Sequence, residues 1–249
     1  MLARPIAEPS RTTLTRTRAI LELALAYTLI ILVIWTPNPW QRIFYIAAVI
    51  ALAAILALSF QSARALGLQL KNLGRSLWVA IIALALAAIM ILVAAHKHTL
   101  HNTSHFVARY WGYALWAFVQ QILLQDVFLR RLLILIPSKP RLAALAAAIL
   151  FASAHLPNPI LTPITFLWGF LSCLLFLHYR NIIPLAITHA ALGITLAITI
   201  PAPLIHNMRV GLGFLHYHHR VPHVSLLRGD FTGCLSAESC IRGIALRRP

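Results

Sequence analysis

The fold class is decided by residues 77–95, whose sequence LWVAIIALALAAIMILVAA contains no charged side chain. A helix of about 20 apolar residues is long enough to cross the hydrocarbon core of a bilayer. Comparable apolar segments occur at 19–35, 43–60, 111–129, 142–156, 160–179 and 182–200. Helices satisfy their own backbone hydrogen bonds within lipid. The sequence therefore predicts an all-α fold, a polytopic transmembrane helical bundle with about seven spans.

The composition of the chain excludes an ordinary water-soluble protein. Of the 249 residues, 60% are hydrophobic and only 10% are charged, and the mean hydropathy is +0.82. A soluble domain carries charges on roughly a quarter of its residues. The net charge of +16 would suit a nucleic-acid partner, but the basic residues lie between the apolar segments, where loops are expected. We therefore predict a lipid bilayer as the partner and no nucleic acid.

The distribution of lysine and arginine predicts the orientation of the bundle. Alternate gaps, counted from the N-terminus, carry twelve of these residues, against three on the opposite side before the C-terminal tail. Positively charged loops remain in the cytoplasm, which predicts a cytoplasmic N-terminus. The membrane we expect is a bacterial cytoplasmic membrane. Tryptophans near the predicted span ends indicate an aromatic belt at the interfaces: Trp35, Trp40, Trp78, Trp111 and Trp168.

Four regions follow from these patterns. Residues 1–18 form a basic N-terminal segment, 19–109 contain three spans with their loops, 110–200 contain the remaining four, and 201–249 form a polar tail rich in His and Arg. The first span has no cleavage site after it, which predicts a signal anchor. The tail lacks periodicity and is predicted to be irregular. Within it, Cys234 and Cys240 could form a disulfide outside the cytoplasm.

The fourth predicted span contains several polar side chains, which are costly in lipid and indicate a function or hydrogen bonds between helices. Gln121 and Gln125 share a helix face at 100° per residue, whereas Asp126 points elsewhere. Asp126 is expected to pair with Arg130, four residues later. Gln120 lies near the middle of the same span. A second pair with this spacing, Arg18 and Glu22, is expected in the first span.

Two histidines lie on the spans that follow the glutamines. His155 ends the fifth span in the sequence FASAH, and His189 lies inside the seventh in THAALG. A single buried histidine is usually a core residue with satisfied hydrogen bonds. Two histidines and a glutamine pair, on three neighbouring helices and at similar depths, form a candidate site.

These motifs resemble those of the CPBP family, the CAAX-protease and bacteriocin-processing (Abi) group of intramembrane proteases. The family pattern is Glu-Glu-x-x-x-Arg, then Phe-x-x-x-His, then His-x-x-x-Asn, each on its own helix. The second motif is matched by Phe151 and His155, and the third by His189, with Gly193 in place of the asparagine. The resemblance covers about residues 110–200.

The first motif is present only in outline. Gln120 and Gln121 occupy the two glutamate positions, and Gln125 occupies the arginine position. An amide does not accept a proton at ordinary pH, so the two glutamines cannot simply take over the role of the glutamates.

The resemblance implies a hydrolase, a metallo-endopeptidase that cleaves peptide bonds of membrane-associated peptides or proteins, such as C-terminal prenylated peptides. The catalytic residues it implies are His155, His189, Gln120 and Gln121. His155 and His189 would bind a divalent metal such as zinc or stabilise the oxyanion, although catalytic zinc normally has three protein ligands.

Two other functions stay open from the sequence. One is a non-catalytic family member, a pseudoprotease, that binds a membrane peptide or partner. The other is a transporter, for which discontinuous helices and internal symmetry would be expected.

Overall fold

The structure is a computed structural model, and it describes residues 15–60, 62–69, 72–101 and 103–217. Most of the basic N-terminal segment and the predicted Cys234–Cys240 disulfide lie outside these residues. Every regular element within the described ranges is helical, which confirms the all-α prediction. The helices are α1 (Arg16–Trp35), α2 (Trp40–Ser59), α3 (Leu73–His96), α4 (Phe106–Ile122), α5 (Arg130–Leu135), α6 (Pro140–Ser153), α7 (Leu161–Tyr179), α8 (Ile183–Thr199), α9 (Ala202–Ile205) and α10 (Gly211–Leu215).

The helices have the lengths and surfaces expected in a bilayer. By length and composition, α1, α2, α3 and α7 are each able to cross a membrane, and α6 and α8 are apolar but shorter. Large apolar side chains face outward along these helices; Leu58 and Leu92, for example, are each 69% exposed. Such a surface is stable against lipid and costly in water. The chain is therefore an integral membrane protein, and each predicted span corresponds to a helix.

The interior of the bundle is packed through small residues. Helix α6 lies against α7, and α8 lies against α3 and α4. Ala143, Ala144, Ala147 and Ala148 on α6 are fully buried, and Gly169 of α7 lies against Ala148. Small side chains let helix backbones approach closely, which is the main source of helix association in lipid.

A π-helical segment, Leu123–Leu129, connects α4 to α5 without a break, so the fourth span runs from Phe106 to Leu135. This span is longer than the predicted 111–129. All seven residues of the π-helical segment are buried. Wide turns of this kind are rare and frequently lie at functional sites. Here the segment contains Gln125 and Asp126, two of the polar residues of the first motif region.

Helix α6 is shorter than a complete transmembrane span. Its 14 residues are roughly 21 Å long at 1.5 Å per residue, which is too short for a complete span. The chain then turns through residues 154–160 before α7 begins. Irregular backbone at membrane depth needs hydrogen-bond partners from the protein itself.

Those partners come from the segment after α8. The fully buried Asn158 donates through its side chain to the carbonyls of Ile205 and Arg209, at 3.0 and 3.1 Å. Gly211 donates its backbone N–H to the carbonyl of Leu156 at 2.8 Å. The prediction of irregular chain from Pro201 onward is therefore wrong for residues 202–215. Tertiary hydrogen bonds, rather than local periodicity, order this part of the chain.

A buried ion network joins the first helix to the fifth. The predicted Arg18–Glu22 pair is confirmed, with 2.6 Å between Nε and Oε1. Glu22 also binds Arg131 at 2.8 Å, and the Arg131 side chain is fully buried. Arg131 further donates to the Ser59 hydroxyl at 2.5 Å and to the backbone carbonyl of Asp126. The network therefore ties α1, α2 and the π-helical segment to α5.

Candidate functional site

The two histidines of the motifs line one cavity, which we call the histidine cavity. It has a volume of about 320 Å³ and lies between α4, α7 and α8. Tyr113, Gln120, His155, Trp168 and His189 are among its lining residues. The grouping of Gln120 with both histidines, predicted from three separate motifs, is present in the structure.

His155 occupies the turn that follows α6, with its ring against Phe151, four residues earlier. Its Nδ1 lies 2.8 Å from the carbonyl oxygen of Phe151. A carbonyl can only accept, so Nδ1 carries the hydrogen. The lone pair of this neutral imidazole is therefore on Nε2, on the other side of the ring. His155 thus offers the cavity a hydrogen-bond acceptor.

In His189 the hydrogen is on the other ring nitrogen, because a chain of four hydrogen bonds fixes its position. The Ser172 hydroxyl donates to the carbonyl of Gly169 at 3.1 Å, so its oxygen accepts from Nε2 of Gln125 at 3.3 Å. The same Gln125 nitrogen donates to Oε1 of Gln121 at 3.3 Å. Gln121 is thereby left with Nε2 facing Nδ1 of His189, at 3.1 Å.

The chain fixes the tautomer of His189. An amide nitrogen donates, so Nδ1 of His189 must accept and its hydrogen is on Nε2. His189 therefore offers a donor, whereas His155 offers an acceptor. A cavity lined by one imidazole of each kind can accept a proton from a nucleophile and stabilise a negative oxygen. Gln121, fully buried, acts on this site through His189.

A second cavity, here called the apolar cavity, shares Gln120 and His155 with the histidine cavity. Its volume is about 380 Å³, and its walls are mainly aliphatic side chains of α1, α2 and α4. Tyr45 and Val49 on its edge are 58% and 51% exposed on the lipid-facing surface. An apolar chain from the bilayer can therefore approach His155 without crossing water.

Asp126 lies in a third cavity, the arginine cavity, together with Gln125, Arg130 and Arg180. This cavity has a volume of about 130 Å³. The predicted Asp126–Arg130 ion pair is wrong, because Arg130 donates to the carbonyl of Ser59 at 3.3 Å instead. Asp126 Oδ2 is buried without a hydrogen-bond partner among the described residues. The one carboxylate of the π-helical segment is therefore not a lining residue of the histidine cavity.

Trp168 was predicted to lie in an interfacial belt, and this is wrong. It occupies the middle of α7 and lines the histidine cavity, with its ring centroid 6.4 Å from that of His189. The other four tryptophans of the predicted belt are at least 38% exposed, as contact with lipid or headgroups requires. The predicted span 160–179 agrees with α7 to within one residue, so position 168 lies well inside the span in both.

The residues present do not fit a catalytic zinc. Among the described residues, no three His, Cys, Asp or Glu side chains converge on a common point. His189 directs its Nδ1 lone pair at Gln121 and carries a hydrogen on Nε2, so only the Nε2 lone pair of His155 is left for a metal. Catalytic zinc normally has three protein ligands and one open position. The described residues of the histidine cavity therefore do not form a catalytic zinc site.

Residues 107–195 match a family model described as type II CAAX prenyl endopeptidase Rce1-like. The motif region is similar to CAAX prenyl endopeptidases. This match confirms the resemblance that the three motifs indicated. It extends from α4 through most of α8, less than half of the chain, and includes both histidines. No curated protein and no solved structure matches the chain.

The first motif also fits the chain in a second register, five residues later. Gln125 and Asp126 then occupy the two glutamate positions and Arg130 the arginine position. This register retains a carboxylate and the arginine, which the register on Gln120 and Gln121 does not. The sequence signal for this register is the spacing of Asp126 and Arg130, which also fits an ion pair within one helix. Gln125 belongs to the site in both registers, because it holds Gln121 in place.

Proposed function

We propose that the chain is an intramembrane endopeptidase of the CAAX-protease type, which hydrolyses a peptide bond in a membrane-associated peptide or protein. The observation that carries this proposal is the pair of complementary imidazoles in one cavity, an acceptor at His155 and a donor at His189. The match of residues 107–195 to a prenyl endopeptidase family supports the same reaction.

In the proposed reaction His155 is the general base. Its Nε2 accepts a proton from water while the water oxygen forms a bond to the carbonyl carbon of the peptide. The carbonyl electron pair moves onto oxygen, which accepts a hydrogen bond from Nε2 of His189. The C–N bond then breaks, and the proton held by His155 passes to the leaving nitrogen, which gives a carboxylic acid and an amine. A positioned base contributes roughly 10²–10⁴-fold to such a step.

The apolar cavity supports a substrate that carries a hydrocarbon chain. Its lining is almost entirely apolar, and an alkyl or prenyl chain would bind there by burial of apolar surface. Gln120 lies where the two cavities meet, so its amide is placed to hold a polar group next to the chain. We propose lipid-modified peptides as the substrate class.

The alternative of a pseudoprotease is favoured by one observation, the lack of a carboxylate among the described residues that line the histidine cavity. Gln120 and Gln121 are neutral amides, and Asp126 lies in the arginine cavity. A protein with this site could bind a membrane peptide without cleaving it. Gln120→Glu adds a carboxylate at a lining position with little change in shape. A large rise in cleavage above wild type would favour the pseudoprotease, since the wild type would then lack an effective base.

The direct test is cleavage of a fluorogenic peptide with a C-terminal prenylated cysteine motif by the purified protein in lipid vesicles. His155→Gln, which retains polarity but removes the basic nitrogen, should reduce the rate roughly 10²-fold or more. A chelator such as 1,10-phenanthroline should leave the wild-type rate unchanged. Wild-type protein that binds the peptide but cleaves none of it would reject the endopeptidase in favour of the pseudoprotease.

A further inference from the structure

Gly193 lies four residues after His189 on α8, so both face the histidine cavity. The motif that the chain otherwise follows has an asparagine at this position. A side chain at position 193 would therefore project toward the same space as the His189 ring. The group that fills this space in the structure is the candidate to replace the asparagine.

The space is filled by Tyr113, from α4. A Cβ added to Gly193 would overlap the Tyr113 hydroxyl and would lie 2.6 Å from Cζ and 2.8 Å from Cε1 of its ring. Real Cβ atoms essentially never lie within 3.0 Å of another side chain. The phenol of Tyr113 therefore occupies the volume that a side chain at position 193 would need. Gly193 and Tyr113 form a complementary pair, in which the absence of one side chain makes room for the other.

The Tyr113 hydroxyl also has the chemistry of the missing group. A phenol donates a hydrogen bond from O–H, as an asparagine amide donates from N–H. Tyr113 lines the histidine cavity, and its hydroxyl makes no hydrogen bond to any described residue. A donor without a partner among the described residues, in the cavity that the His189 ring also lines, is placed to bind an oxygen of a ligand.

We propose that Tyr113 is a catalytic residue, whose hydroxyl donates to the carbonyl oxygen of the substrate together with Nε2–H of His189. This inference rests on the proposed peptidase function and identifies a residue of its oxyanion site. The hydroxyl of Tyr113 on α4 thus supplies the hydrogen-bond donor that an asparagine at position 193 on α8 would supply. A donor aimed at a developing negative oxygen typically contributes about 10²–10³-fold to kcat.

The first experiment uses Tyr113→Phe, which removes the donor and retains the ring. We expect kcat for the prenylated peptide to fall roughly 10²-fold with little change in KM. Tyr110→Phe is the matched control, since Tyr110 lies on the same helix against Phe106 and does not line the histidine cavity; its kcat should stay at the wild-type value. A Tyr113→Phe variant with wild-type kcat would overturn the proposal while the peptidase function stands.

The second experiment measures binding and so does not require cleavage. The probe is an N-dodecanoyl phosphinic dipeptide, whose anionic oxygen takes the place of the oxyanion, compared with the matched N-dodecanoyl dipeptide amide. Wild type should bind the phosphinate more tightly than the amide, and Tyr113→Phe should lose roughly 10-fold or more of that preference. If wild type cleaves nothing but shows this loss, the peptidase function fails and the donor role stands. No preference in the wild type, or an unchanged preference in Tyr113→Phe, would overturn the donor role.

The third experiment tests the shared volume. Gly193→Asn alone should lower both Tm and activity, because the new side chain overlaps Tyr113. Tyr113→Ala with Gly193→Asn should recover Tm and restore a donor from α8, so that kcat exceeds that of Tyr113→Ala. A double variant no better than either single variant would show that the two positions do not share one role.

Discussion

At the scale of single residues, Gln121 determines which nitrogen of His189 carries the hydrogen. Gln121→Glu replaces the donating amide by a carboxylate that only accepts, so a hydrogen is required on Nδ1 of His189. We expect the ¹⁵N chemical shifts of His189 in the neutral ring to change from the Nε2–H tautomer to the Nδ1–H tautomer. Such a change would remove the neutral donor that faces the cavity.

Gln120→Glu is the matched control for this measurement. Gln120 lies next in sequence and lines the cavity, but its side chain makes no hydrogen bond to His189. The His189 tautomer should therefore stay as in the wild type. An Nδ1–H signal from His189 already present in the wild type would contradict the chain of hydrogen bonds from Ser172 to His189.

The sequence indicated part of this site and not the rest, for reasons of residue type. His155 and His189 are polar residues within apolar segments; Phe151 and His155 follow a known motif, and His189 matches another except that Gly193 replaces its asparagine. Tyr113 and Ser172 are ordinary residues in a membrane helix, and no spacing distinguishes them. Their roles depend on contacts between helices that are distant in sequence, and only the structure gives these contacts.

At the scale of helices and segments, the C-terminal part of the described chain depends on Gly211. This residue has φ +53°, and a Cβ on it would overlap Ile34 of α1. Gly211→Ala should lower Tm and detach α10 from α1. Because Asn207, Met208 and Val210 line the histidine cavity, peptide cleavage should fall as well. Thermal unfolding in detergent and the cleavage assay together measure both effects.

Gly213 provides the matched control, in the same short helix. A Cβ at Gly213 has only Arg209 Cβ nearby, at an ordinary 3.8 Å. Gly213→Ala should therefore leave Tm unchanged or raise it slightly, since alanine loses less backbone entropy in a helix. Equal losses in the two variants would mean that α10 tolerates no alanine for some reason other than contact with α1.

The Glu22–Arg131 pair makes a further prediction at this scale. Glu22→Gln leaves the fully buried Arg131 without its carboxylate, and loss of one partner of a buried pair costs about 3–5 kcal/mol of unfolding free energy. Glu22→Gln combined with Arg131→Met should recover most of this loss. Arg18→Gln, at a partly exposed position, should cost less than about 1 kcal/mol. Denaturant unfolding in mixed micelles would compare the three.

The helices themselves were largely predictable from the sequence, because apolar length is a local property. The end of α6 near Pro157 was also predictable, since proline disfavours continuation of a helix. The order of residues 202–215 was not, because it depends on Asn158 and Leu156, about 50 residues away. The π-helical segment was likewise not visible in the apolar pattern.

At the scale of the whole molecule, the sequence predicts seven passages, which would place the two ends of the described chain on opposite sides of the membrane. The excess of lysine and arginine predicts a cytoplasmic N-terminus. Fusion of an alkaline phosphatase reporter after Tyr217 should be active, and a fusion in the loop between α2 and α3 should be inactive. The reverse result would invert the orientation, and equal activity of both fusions would contradict the odd number of passages.

The opening of the apolar cavity toward Tyr45 and Val49 has a kinetic consequence. A substrate that enters from the bilayer diffuses in two dimensions, and its effective concentration is its mole fraction among the lipids. Addition of inert phospholipid at constant total substrate should therefore slow cleavage in proportion to the dilution, whereas addition of buffer should not. A cleavage rate that falls on addition of buffer, and not on addition of phospholipid, would mean that the peptide reaches His155 from water.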